Sequence, residues 1–181
     1  MHPDFDPQPI LSDDILLLRP LRADDLDPLH TAASDPAIWA GHPVKNRHQR
    51  AVFEPYFATL LDTQATLAVT LRKTGQIIGC SRYYAAPDHA NSVSIGYTFL
   101  AKDWWGGSTN LALKTLMLAH AFACVDTVWL HIGLDNIRSQ KATAKLGAVH
   151  AYDGDIGLGG VPGMWQCWRL EKSVWTARLS A

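Results

Sequence analysis

A chain of 181 residues, 48% hydrophobic and 18% charged with a formal net charge of -1, has the size and content of one globular domain with a single core. No basic block is present to grip nucleic acid through many phosphates. No apolar run is long and clean enough to span a bilayer, and the N-terminus lacks the basic-then-apolar order of a signal peptide.

Met1 to Asp14 carries Pro3, Pro7 and Pro9 among four aspartates, so residues 1–14 read as an extended arm that packs late or not at all, ahead of one domain over residues 15–181. Ile15 to Arg19 is a first strand. Asp24 to Ala33 reads as a helix interrupted by Pro28, and Arg47 to Leu61 as a second one that Pro55 should kink or break. Thr66 to Arg72 and Ile77 to Tyr84 form a hairpin around Lys73-Thr74-Gly75-Gln76. Val93, Ile95, Tyr97 and Phe99 alternate with small polar residues, the period of a half-buried strand. Leu111 to Val125 lacks proline and glycine and is apolar on nearly every face, which predicts a buried helix.

Between that strand and that helix lies Asp103-Trp104-Trp105-Gly106-Gly107-Ser108-Thr109-Asn110. A Gly-Gly turn lets backbone N–H groups crowd around an anion, and the following helix adds unpaired amides and the positive end of its dipole. The ligand implied is a phosphate or pyrophosphate; the plain alternative is a tight connection that needs positive φ. Next come a strand from Thr127 to Ile132 and a short helix, capped by Asp135 or Asn136 and stopped at Gly147. Strand, glycine turn, helix, strand, helix suggests a parallel crossover that gathers ligand groups at the strand ends. Val149 to Tyr152 and Met164 to Leu170 are the last strand candidates, separated by a glycine-rich loop. Cys80, Cys124 and Cys167 are far apart with no C-x-x-C pair, the pattern of buried thiols in a reducing, cytoplasmic setting.

The series Ile95-Gly96-Tyr97, Trp105-Gly106-Gly107, His120-Ala121-Phe122, Asn136-x-x-Ser139 and Lys145-Leu146-Gly147-Ala148 resembles the GNAT (GCN5-related) N-acetyltransferases. Within them it is most similar to the branch of the ribosomal-protein N-terminal acetyltransferases (RimJ/RimL-like). Leu16-Leu17-Leu18-Arg19-Pro20-Leu21 and Lys73 to Gly79 fit that branch as well, so the likeness covers about Ile15 to Trp175.

The resemblance implies an α+β fold: a mixed, mostly antiparallel sheet with helices on both faces and a splay between the fourth and fifth predicted strands. Acetyl-CoA, used as co-substrate without a metal, would enter that gap. Phe99, Leu100 and Ala101 would hydrogen-bond its pantetheine, and Trp105, Gly106, Gly107, Ser108, Thr109 and Asn110 would hold its pyrophosphate. Trp105, Ser108 and Asn110 depart from the commoner R/Q-x-x-G-x-G/A loop, and Asn110 also suits a helix start.

An amine would attack the thioester directly with both substrates bound, and a backbone N–H at Tyr97 or Thr98 would meet the oxyanion. The tyrosine that many relatives use to protonate the sulfur is replaced by Thr143; the branch assigns that role to the position of Ser139, which can equally bond the backbone near the cap. Asn136 would contact the coenzyme. The base is not identified: Ser94 stands where relatives carry glutamate, and His42, His89, His131, Asp88, Asp153 and Asp155 are candidates. Trp39, His42 and Tyr83 are the expected acceptor-side residues, with Tyr84 and Trp165 as further candidates; Trp39 also suits a core anchor.

Three functions follow: an acetyltransferase for a protein or peptide N-terminal α-amine, the same chemistry on a small-molecule amine or antibiotic, and a non-catalytic acyl-CoA-binding module. A homodimer is compatible with the apolar strand from Met164 to Leu170.

Overall fold

The structure is a computed structural model and describes residues 1–158 and 163–180. In chain order the elements are β1 (Leu11–Ser12), β2 (Leu16–Pro20), α1 (Leu26–Ala33), α2 (Arg50–Asp62), β3 (Thr66–Leu71), β4 (Ile77–Tyr84) and β5 (Val93–Leu100). They continue with α3 (Thr109–Ala121), β6 (Thr127–Gly133), α4 (Ile137–Lys145), β7 (Val149–Asp155), β8 (Met164–Glu171) and α5 (Lys172–Leu179). One sheet of 8 strands runs in the order β1-β2-β3-β4-β5-β6-β8-β7.

Every neighbouring pair is antiparallel except β5 and β6, which are joined through α3. Helices α1 and α2 cover one face, where Leu29, Phe53, Phe57 and Leu60 pack on Ala68, Cys80 and Phe99. Helices α3 and α5 cover the other, where Leu113, Met117, Leu118 and Trp175 pack on Leu67, Ile78, Ile95 and Leu130. This is the expected α+β arrangement of a mixed sheet between two helical layers.

The parallel pair sets up the site. Val93 pairs with Val128 and Ser94 with Trp129, and the pairing stops there, although both strands continue. From Ile95 onward β5 and β6 are no longer zipped together, and the splay lies between the strands in which it was expected; only the extra strand β1 shifts their count. On its other edge β5 carries a bulge, because Cys80 faces Phe99 while Arg82 faces Gly96, leaving Tyr97 and Thr98 opposite Ser81 alone. Tyr97 takes φ of 51°, a left-handed conformation that a tyrosine adopts at a cost of about 1–2 kcal/mol.

That extra residue corrects the simple alternation expected for this strand. Val93 and Ile95 point toward α3, but Tyr97 and Phe99 point toward α1 and α2, because a one-residue insertion exchanges the two faces.

Three other expectations change. Residues 1–14 are not an arm that fails to pack: Phe5 is buried 4.8 Å from the Tyr83 ring, the backbone oxygen of Asp6 meets His120 Nε2 at 2.8 Å, and Leu11 and Ser12 add an edge strand. The apolar Phe5 within the proline-rich stretch is what pins it. Helix α2 runs through Pro55 without a break. Strand β7 continues to Asp155, so the glycine-rich connection is shorter than expected, and its residues 159–162 lie outside those described.

Candidate active site

Where β5 and β6 part, a cavity of about 640 Å³ opens, walled by both strands, the start of α3, α4 and the segment from Trp39 to Pro43. A second cavity of about 600 Å³ adjoins it and shares Arg47, Tyr56, Tyr84, Tyr97 and Leu158 with it.

One end is built from the start of α3. Gly106 takes φ of 75°, which lets Trp105-Gly106-Gly107 turn sharply onto Ser108, the residue that precedes the helix. Trp105, Gly106, Gly107, Ser108 and Asn110 line the cavity there; Thr109 does not, since its place in the first helical turn directs it away. Trp105 is fixed at its edge by Nε1 donating to Leu100 O at 2.9 Å, and Arg138 of α4 lies 3.8 Å over its ring. Sequence reasoning missed Arg138, whose position is set by its bond to Ile38 O across the cavity mouth.

Along β5 the backbone decides which groups are free. Ala101 N–H donates to Ile78 O at 2.7 Å, and the alternation of an antiparallel ladder then commits Phe99 to Cys80 on the same edge. Alternation turns the amides of Thr98 and Leu100 the other way, toward the gap. The expected set of Phe99, Leu100 and Ala101 is therefore corrected: Ala101 does not line the cavity, Phe99 reaches it with its side chain, and only Leu100 presents an N–H.

On α4, Asn136 and Ser139 both line the cavity. Asn136 Oδ1 accepts from Ser139 N at 3.2 Å and so caps its own helix, which leaves its amide NH₂ for a ligand. Thr143 lines the wall one turn deeper and is buried.

Lys114, one turn inside α3, is a residue the sequence reading passed over as part of an apolar helix. It is 7% exposed, lines the cavity, and donates through Nζ to Thr98 Oγ1 at 2.8 Å, which in turn meets Ser81 Oγ at 2.7 Å. It has no carboxylate partner among the described residues, and burial lowers its pKa to about 7.

On the α1/α2 side, Trp39 is buried with its indole N–H held by Ala33 O at 2.8 Å, so it is at once a core anchor and a cavity wall. His42 lies beside it, and burial followed by the Arg47 charge lowers its pKa to about 4. Tyr83 is a correction. It is completely buried under α3 with its hydroxyl donating to Met117 O at 2.9 Å, whereas Tyr84, on the opposite face of the same strand, lines the cavity, as does Trp165.

Tyr84 hydroxyl sits 2.7 Å from His131 Nδ1, while His131 Nε2 is buried and has no partner among the described residues. Burial lowers the His131 pKa to about 4 and raises that of Tyr84, so both are neutral. The Tyr84 ring fits because residue 96 is glycine: a Cβ there would lie 2.9 Å from Tyr84 Cε1. Of the other candidate bases, His42 lines the cavity, and His89, Asp88, Asp153 and Asp155 do not.

These features define an open mixed sheet whose parted strands β5 and β6 frame one cavity. The model of the acetyltransferase (GNAT) domain matches residues 16–149, and the chain belongs to that family of N-acetyltransferases. Its fold is shared by a GCN5-related N-acetyltransferase from Brucella melitensis, at 18% identity and a TM-score of 0.75 over 94% of this chain and 81% of that one. It is shared by a GNAT-family structure from Chromobacterium violaceum, at 15% identity and 0.79 over 97% and 92%. Mycobacterium smegmatis RimJ, determined with CoA-disulfide, matches at 16% identity and 0.68 over 99% and 97%. No curated protein matches the sequence.

The family uses acetyl-CoA, and the residues present fit it: a buried lysine with no carboxylate partner among the described residues, a bare helix start and free strand amides face one cavity. Among the described residues no cluster of His, Cys, Asp or Glu could hold a metal ion, and no helix is long and apolar enough to cross a membrane.

Proposed function

We propose that this acetyl-CoA-dependent acetyltransferase modifies a protein or peptide N-terminal α-amine, by direct attack with both substrates bound in the splay. The observation that carries this reading is the cavity between β5 and β6, adjoined by a second chamber that offers room for a chain beyond the reacting nitrogen. The Asn136-x-x-Ser139 element supports the RimJ/RimL-like branch.

Bound acetyl-CoA supplies the activated thioester. Ser108, Asn110 and the first amides of α3 hold the phosphates, Leu100 N–H and the Asn136 amide hold the pantetheine, and Lys114, bonded to Thr98 Oγ1, lies beside the thioester end. Thr98 N–H, turned toward the gap by the bend at Tyr97, meets the oxyanion. His131, in the tautomer with its proton on Nδ1, takes a proton from the incoming amine at Nε2. Ser139 relays a proton to the departing thiolate through water. Free thiols at Cys80, Cys124 and Cys167 are in keeping with a cytoplasmic protein, and exposed Val149 and Met164 at the β7 end of the sheet are where a homodimer would form.

Thiol release from acetyl-CoA, with mass spectrometry of the product, tests the acceptor. Peptides with a free N-terminus gain one acetyl group there, and the same peptides blocked at the N-terminus and carrying an internal lysine do not. Modification of lysine alone, or turnover confined to small amines, contradicts the reading.

A further inference from the structure

Neither substrate so far described uses two cations on the α1/α2 side of the site. Arg47 lies in the loop before α2 and lays its guanidinium 3.9 Å over the Tyr56 ring and 5.6 Å from that of Trp39. Its polar neighbour is His42, 2.9 Å away at Nε2, which stays neutral. Arg82, on β4 opposite Gly96, lies 4.5 Å over the Tyr97 ring, and its Nε is buried with no partner.

Neither arginine has a carboxylate within 4.0 Å among the described residues. Both line the adjoining chamber together with Tyr56, Tyr84 and Tyr97, and no aspartate or glutamate lines either cavity. Two half-buried guanidinium groups held on aromatic faces, with no carboxylate of the described residues facing them, carry a desolvation cost that an arriving anion offsets.

The phosphates of the coenzyme are not that anion. Their end of the cavity is marked by the start of α3 on the opposite face of the sheet, whereas Arg47 and Arg82 rest on Tyr56 and Tyr97, which pack with the α1/α2 cluster. Arg82 is nevertheless directly across the ladder from Gly96, at the point where β5 leaves β6. A group bound by it lies a few bonds from a nitrogen placed at the thioester. Guanidinium is also the side chain suited to a carboxylate, through its planar fork of donors.

From these observations we infer that the acceptor is an amine that carries its own carboxylate, bound between Arg47 and Arg82 while its nitrogen faces Tyr97 and His131. The carboxylate belongs either to the side chain of an acidic residue next to a peptide's α-amine or to a free amino acid. Polycationic amines are rejected by the same two charges. The inference rests on the acetyltransfer reading for its nitrogen, and on the arginines alone for its carboxylate.

The test compares acid and amide isosteres. One arm uses the peptides Ala-Asp-Ala-Ala and Ala-Asn-Ala-Ala, C-terminally amidated; the other uses free amino acids and their carboxamides. The expected result is a kcat/KM ratio of acid to amide of about tenfold or more in one arm, which also identifies the source. In Arg82→Gln and Arg47→Gln the ratio falls toward one, mainly through a higher KM for the acid. Calorimetry of the N-acetylated acid and amide products, titrated into the protein with CoA present, reads the same preference without turnover. An acid preference in binding with no thiol release from any acceptor keeps this inference and rejects the peptide-acetylation reading. A ratio of one or less in the native protein, in turnover and in binding, overturns the inference.

Discussion

Replacing His131 with leucine lowers kcat about a hundredfold and leaves the KM for acetyl-CoA within a factor of two, since proton transfer from a placed side chain contributes about 10²–10⁴ in rate. Three facts converge on this residue. It stands on β6 level with the apex of the splay, its Nε2 is buried without a partner, and its Nδ1 is held by Tyr84. With its pKa lowered to about 4 by burial, His131 is neutral from pH 6 to 9, so its lone pair is available throughout that range. Loss of activity below neutrality then reports the ammonium form of the acceptor rather than this imidazole. Tyr84→Phe removes only the orienting hydroxyl and costs less than His131→Leu. A His131→Leu enzyme with unaltered kcat assigns the deprotonation to water.

Lys114→Met stabilises the free protein and weakens coenzyme binding, an opposition expected where a group is kept for function at the expense of the fold. The folded pKa of Lys114, about 7, lies below its ordinary value of 10.5. Between those values the unfolded chain binds more protons than the folded one, so stability rises with pH through that window, and the burial penalty is complete below it. Removing the amine therefore gains most at pH 6, about 2 kcal/mol or roughly 5 °C in Tm, and little near pH 10. Thr98 keeps Ser81 as its partner in the variant, so no polar group is orphaned. Coenzyme A affinity falls about tenfold at pH 6, and the extra weakening of native binding as pH rises through about 7 disappears. A variant with lower Tm at every pH and native affinity contradicts this role.

The order of elements was legible because each carried a local signal: the period of two in β5, the Gly-Gly turn before α3, the cap and stop of α4. What was not legible arose from contacts distant in sequence. The bulge at Tyr97 has only Gly96 as a local hint within Ser94 to Phe99, yet it decides which amides face the gap and reverses the faces of Tyr97 and Phe99. Tyr83 and Tyr84 are neighbours of equal chemistry, and only the register of β4 against β5 places one in the core and the other beside His131. Phe5 carries no packing signal within its proline-rich stretch because its partners, Tyr83 and His120, come much later in the chain. Lys114, Arg47 and Arg82 stand out only once the fold shows that they lack a carboxylate partner among the described residues.

Initial rates measured while both substrates are varied bear most directly on a thioester and an amine meeting in one cavity. Double-reciprocal lines that intersect, with no acetyl group retained on the protein after incubation with acetyl-CoA alone, are the predicted result. Parallel lines accompanied by an acetylated enzyme would contradict it, because the acetyl group would then travel through a protein side chain rather than across the gap between β5 and β6.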